Sequence, residues 1–157
     1  MVYAIAIYAA ALVLANLLVS WFGPSITPIN AFVLIGLDLA LRDWLHLRLK
    51  TWQMGALILG TGAVTYLLNP GAGQIAIASS VSFVVAAIVD WQVFKNVTGS
   101  WLKRSNLSNT AGAAVDSIVF PTIAFGALMP EIVAMQFAAK TLGGAAWAYI
   151  LKSKVAA

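Results

Sequence analysis

Residues 2–22 read VYAIAIYAAALVLANLLVSWF and end at Gly23-Pro24. The stretch carries no charge and a single amide, Asn16. It matches the roughly 20 apolar residues with which an α-helix crosses the hydrocarbon core of a bilayer. A secretory signal needs a basic region ahead of its apolar stretch. Only Met1 precedes this one, so a retained helix is expected. Working outward, Gly23-Pro24 breaks the helix and Thr27-Pro28 opens the next segment. Long apolar runs and breakers alternate along the rest of the chain. They predict helices from about Pro28 to Trp44, Trp52 to Leu68, Gln74 to Phe94, Asn106 to Leu128 and Pro130 to Lys152, with Pro121 inside the fifth. Asn69-Pro70-Gly71 and Met129-Pro130 are short breaks, and Lys95 to Ser105 is a polar linker.

Composition supports the same solvent. Of 157 residues, 62% are hydrophobic and 9% are charged, with a mean hydropathy of +0.93. A soluble domain carries roughly 25% charged residues. So few charges cannot build a polar shell, which excludes a soluble globular domain, a disordered chain and a nucleic-acid binder. The lipid bilayer is the expected partner for most of the surface. Six spans need roughly 120 residues. The expected fold is therefore all-α: a polytopic membrane protein of six transmembrane helices, one domain over residues 1–157. That leaves no room for a soluble catalytic or ATPase module. The absence of cysteine excludes disulfides, thiolate metal sites and cysteine nucleophiles.

The charges set the orientation. Arg42, Arg48 and Lys50 follow the second helix, Lys95, Lys103 and Arg104 the fourth, and Lys152 and Lys154 the sixth. The connections after helices one, three and five hold no Lys or Arg. Basic residues collect on cytoplasmic loops. Eight of the nine basic residues thus fall on alternate connections, which predicts both termini in the cytoplasm. The short outer breaks pair the helices as three hairpins. Frequent small residues such as Gly55, Gly60, Gly112 and Gly143 allow close helix packing and permit a homodimer.

Ionisable residues within a bilayer are costly and usually face an interior or a wet cavity. They mark the candidate site. Helix two holds Asn30, Asp38, Arg42 and Asp43, with Asp38 and Arg42 at i,i+4. Ser79, Ser82 and Asp90 share a stripe of helix four. Asn109, Asp116 and Phe120 share one on helix five, and Gln136 and Lys140 share one on helix six. Turned inward, the four stripes would line one central cavity. Asp116 and Lys140 lie near mid-span, where they either pair with each other or mark a functional site. Plainer roles fit other residues. Asp38–Arg42 makes an interfacial pair and Asp90 is hydrated near a helix end. Glu131 caps the helix opened by Pro130. His46 is solvated in a basic loop, and most of the six tryptophans form an interfacial belt. One His, no Cys and no HExxH leave no zinc site, and there is no GxxxxGK[ST] for ATP. No enzyme, metal or cofactor is expected.

Three blocks carry a family resemblance. They are Pro28-Ile-Asn30-Ala-Phe-Val-Leu-Ile-Gly-Leu-Asp38-Leu-Ala-Leu-Arg42-Asp43-Trp-Leu-His46, Ile77-Ala-Ser79-Ser-Val-Ser-Phe83 running on to Val89-Asp90, and Arg104-Ser-Asn106-Leu-Ser108-Asn-Thr followed by Val115-Asp116-Ser117-Ile-Val-Phe120. In this order they resemble helices two, four and five of the VUT family. The resemblance implies a six-helix inner-membrane transporter for queuosine precursors, flat 7-deazaguanine bases with cyano or aminomethyl groups. The donor-rich edge of such a base, set against the polar stripes, makes Asp116 the first candidate, with Asp38 and Asp90 behind it, to accept from the ring N–H and exocyclic amine. Asn16, Asn30, Asn106 and Gln136 would read the carbonyl and pyrrole edges. Phe83 or Phe120 would stack on the ring, and Lys140 would keep Asp116 ionised.

Two other functions compete. A substrate-binding subunit of an ATP-driven vitamin importer is also a small apolar six-helix protein. The Ala-rich stretches Ala4–Ala15 and Ala134–Ala148 suit a surface for coupling helices, and such a subunit would be caught with an ATPase partner. A lipid-modifying enzyme would cluster its acids on one loop with a metal, whereas the five acids here are spread over four helices.

Overall fold

The computed structural model describes residues 1–155, with side chains as far as residue 153. α1 spans Val2–Phe22 and stops at Gly23, whose φ of 67° is closed to most side chains. A 3₁₀ turn, Gly23–Ile26, leads into α2, Thr27–Asn30. A π-helical turn, Ala31–Ile35, joins α2 without a break to α3, Gly36–His46. α4 spans Thr51–Leu68, and a 3₁₀ turn, Pro70–Ala72, opens α5, Gly73–Asn96. α6 spans Trp101–Phe125 and α7 spans Pro130–Val155. With α2, the π turn and α3 as one rod, the described residues form six helical rods and no strand.

Two boundaries differ from expectation for identifiable reasons. α6 starts at Trp101 rather than Asn106, because the Ser100 hydroxyl accepts from the Lys103 N–H at 3.3 Å and caps the helix. The polar linker thereby shrinks to residues 97–100. The second rod runs on past Trp44 to His46, so His46 ends a helix and is half-buried instead of lying in a solvated loop.

The burial pattern is inverted relative to a water-soluble bundle. Leu67, Trp52, Ile29, Leu142 and Ile77 are more than half exposed, while Asp38, Arg42, Asp90 and Ser82 are fully buried. Apolar surface of this extent is unstable in water and at home in lipid. By length and hydropathy, two continuous helical stretches, Val2–His46 and Pro70–Asn96, are long and apolar enough to cross a membrane. The remaining rods carry inward polar residues such as Thr61, Asp116 and Lys140, which lower their mean hydropathy.

Side-chain bonds fix the direction of the rods. Asn69 donates to Ser20 Oγ at 3.3 Å, and Gln74 donates to the Ile123 carbonyl at 3.1 Å. These bonds gather the breaker-rich connections at one end. Arg104 Nε donates to the Phe94 carbonyl at 3.1 Å, and Ser105 donates to Asp43, both at the opposite end. The basic connections therefore lie together, away from the breaker-rich ones. Where the second rod crosses α7, backbone meets backbone. A Cβ on Gly143 would fall 2.1 Å from the Phe32 carbonyl oxygen, and one on Gly36 would fall 2.6 Å from Gly143 C. Beside this crossing, the Trp147 indole donates to the Val33 carbonyl at 3.0 Å. That carbonyl also accepts from the Gly36 N–H at the end of the π turn, so Trp147 clamps α7 to the second rod at this point.

Candidate functional site

The inward polar residues divide into two clusters along the bundle. The first surrounds a cavity near the middle of the rods. Asn16 comes from α1, Asn30 from α2, Ser79 and Phe83 from α5, Asp116 and Phe120 from α6, and Gln136 and Lys140 from α7. The envelope is about 310 Å³, but only about 20 Å³ is open to the centre of a water-sized sphere. That is room for a single water. The cavity is therefore closed around its own side chains.

Several of these side chains are held from behind. Lys140 Nζ stands 2.6 Å from Asp116 Oδ2 and donates to Gln136 Oε1, also at 2.6 Å. Asn30 donates to the Ala15 carbonyl at 2.9 Å, tying the second rod back onto α1. Asn16 donates to Thr65 Oγ1 at 3.3 Å, whose own hydroxyl donates to the Thr61 carbonyl at 2.8 Å. What remains unpaired is informative. Asp116 Oδ1, Asn30 Oδ1 and Gln136 Nε2 are buried without a hydrogen-bond partner. Leaving such atoms unpaired costs roughly 1–3 kcal/mol each. Two acceptors and one donor thus stand free around a cavity walled by two phenyl rings.

The second cluster lies toward the end with the basic connections. Arg42 and Asp38 on α3 and Asp90 on α5 are all fully buried. The guanidinium is 3.8 Å from a carboxylate oxygen of Asp38 and of Asp90, close enough for ion pairing but without a hydrogen bond. Asp43 accepts from the Ser105 hydroxyl, and Ser108 Oγ is 3.5 Å from each Asp43 oxygen. Tyr8 from α1 places its hydroxyl beside Asp38. A carboxylate oxygen of Asp43, one of Asp90 and a ring nitrogen of His46 lie within 4.8 Å of one another. The Arg42 guanidinium beside Asp90 already supplies a positive charge to the group, and Asp43 accepts from Ser105.

Of the ten candidates, Asn16, Asn30, Phe83, Asp116, Phe120, Gln136 and Lys140 line the cavity. Asp38 and Asp90 do not line it; they belong to the second cluster because each sits nearer the other end of its rod. Asn106 joins neither, being half-buried on the first turns of α6. The Asp38–Arg42 pair is interior rather than interfacial, and Asp90 is fully buried within the bundle. The composition of Asp43, Ser105, Ser108 and Tyr8 into one cluster was not foreseen. Asp43 and the serines carried a signal in their three- and four-residue spacings, but a tyrosine within an apolar helix carries none.

Buried ionisable side chains around a small cavity inside a lipid-facing bundle mark a substrate or ion pathway. The chain belongs to the family described as "putative vitamin uptake transporter". The family model matches residues 2–151, nearly the whole chain. No curated protein and no solved structure matches it. As a member of this family the chain is a membrane protein with a transport role. Both polar clusters fall within the matched residues.

Proposed function

We propose that this family member imports a queuosine precursor, 7-cyano-7-deazaguanine or a closely related 7-deazaguanine, across the inner membrane. The six rods are six spans in this proposal. The basic connections and both termini face the cytoplasm, and the middle cavity receives the base. The observation that carries the proposal is the set of unpaired atoms between Phe83 and Phe120: Asp116 Oδ1, Asn30 Oδ1 and Gln136 Nε2. A deazaguanine presents the complement. Its ring N–H and exocyclic amine donate to Asp116, its carbonyl accepts from Gln136, and its pyrrole N–H donates to Asn30. The rings stack on its faces. Lys140 stays on Asp116 Oδ2 and holds the carboxylate in place. The base is neutral, which suits a cavity whose one ion pair is already internally balanced. Entry requires the side chains around the closed cavity to part, a motion that also isolates each face of the membrane from the other.

Thermal shift in detergent tests the substrate. A ligand that binds the folded state raises the melting temperature by mass action. A shift with 7-cyano-7-deazaguanine or its aminomethyl analogue is expected, with none for guanine or for common vitamins. Asp116→Asn combined with Lys140→Met, which strands no charge, should abolish the shift while the protein still purifies as a folded helical monodisperse species. A shift with a vitamin alone would reassign the substrate.

A further inference from the structure

The second cluster has a charge imbalance that the substrate cavity does not use. Asp38, Asp43 and Asp90 are 0–1% exposed, and the one cation among them is Arg42, itself fully buried. Taken as ionised, the group would carry two uncompensated negative charges in a dry interior. Burial of that kind is relieved by protonation. The geometry says where the proton sits. Arg42 faces Asp38 and Asp90 at 3.8 Å, and its three guanidinium nitrogens have no hydrogen-bond acceptor. Asp43 turns instead to Ser105 and Ser108. An oxygen of Asp43 and one of Asp90 lie within 4.8 Å of each other, so the two carboxylates repel when both are ionised and one proton on the pair relieves that repulsion.

The surroundings open the pair toward the basic end. His46 is half-buried, stands within the same 4.8 Å and ends α3 at the bundle's basic end. In the other direction the buried face of α6 carries Ser105 and Asn109 beside the pair and Asp116, two turns further on, at the cavity. Asn109 donates to Ser105 Oγ at 3.2 Å and Ser105 donates to Asp43, so hydrogen bonds extend from the second cluster one turn toward the cavity. The other titratable groups facing the pair are accounted for. Tyr8 of α1 lies against Asp38, and Lys140 of α7 is engaged with Asp116. α4 offers only Tyr66, at the far end beside Gly73.

We infer that the Asp43–Asp90 pair, poised by Arg42 and opened to the basic end by His46, is a proton-binding site that couples proton entry to substrate uptake. This rests on the transporter proposal but names its energy source. One proton binds the carboxylate pair from the cavity side and is released through His46 to the cytoplasm. One neutral base crosses with it, so one positive charge enters per cycle.

Two experiments decide it. The first needs no substrate: infrared spectroscopy of the purified full chain in detergent at neutral pH. A protonated-carboxyl C=O band is expected in the wild type. Asp43→Asn and Asp90→Asn should each remove it, because with one carboxylate gone the repulsion that the proton relieves is gone too. The same spectrum for wild type and both variants would overturn the inference. The second uses vesicles holding the wild-type chain, a trapped pH dye and potassium with valinomycin. External 7-cyano-7-deazaguanine should acidify the lumen as it enters, and Asp90→Asn should lose concentrative uptake while keeping exchange of internal for external base. Uptake without acidification, or uptake that follows a sodium gradient, would overturn proton coupling. If the infrared band is present and this base is not transported, the proton site stands and the substrate assignment fails.

Discussion

The Asp116–Lys140 pair is the interaction whose removal is most costly at the scale of single residues. It is almost wholly buried, with 2.6 Å between the charged atoms. Removing one member leaves a lone charge in a dry interior and costs roughly 3–5 kcal/mol. Lys140→Met should therefore lower the melting temperature sharply. Asp116→Asn combined with Lys140→Met should recover much of the loss, since no charge is stranded. Equal or additive losses in a double-mutant cycle of detergent melts would refute this. The pair was legible in the sequence because each member sits far from both ends of its apolar run. Asp43 and His46 were harder to place. Counting put them at a helix end beside basic residues, where solvation is the ordinary outcome. Only the continuation of α3 to His46 and the approach of α6 bury Asp43.

At the scale of elements, the crossing of the second rod with α7 has no room for a side chain. Gly143→Ala would place a methyl 2.1 Å from a carbonyl oxygen, and that oxygen is backbone and cannot swing aside. Gly143→Ala should reduce the yield of folded protein severely. Gly55→Ala and Gly60→Ala meet nothing within 4 Å and should be neutral or slightly stabilising, as helix propensity favours alanine by roughly 1 kcal/mol. Yield and detergent melting temperature of the three variants check the contrast. Trp147→Phe should cost about 1 kcal/mol through the lost bond to Val33 and little through volume. The sequence showed all of these glycines as equivalent packing residues. Which of them sits at a crossing depends on how two rods rotate about their axes, and that is settled by contacts distant along the chain. Element existence was easier to read, because breakers such as Gly23-Pro24 and Asn69-Pro70-Gly71 act locally. The early start of α6 was missed because a serine cap looks the same in a linker and at a helix start.

For the whole molecule, alternation of charge across connections led to an architecture that the structure expresses as two chemically distinct ends. The chain has no cysteine, so single introduced thiols report topology without background. Gly71→Cys should react with a membrane-impermeant maleimide in intact cells, while Lys50→Cys and Lys103→Cys should react only after permeabilisation. Labelling of all three from outside would contradict the six-span proposal. The split of the interior into two clusters was not legible, since spacing within one helix does not say how far along a neighbour it will sit. The π-helical turn at Ala31–Ile35 bears on that split. Residues 30 and 38 are eight apart, so in a regular α-helix, turning roughly 100° per residue, they would point about 80° away from each other. The π turn absorbs about one residue, leaving an effective separation near seven and an angular offset of only about 20°. One extra residue thus acts as a phase shifter, letting Asn30 face the cavity while Asp38, further along the same rod, faces Arg42 and Asp90. Deleting one residue there would restore a regular helix and keep Asn30 and Asp38 in phase, whereas forcing the full-length stretch into a regular helix would turn the two halves of the interior about 80° out of step.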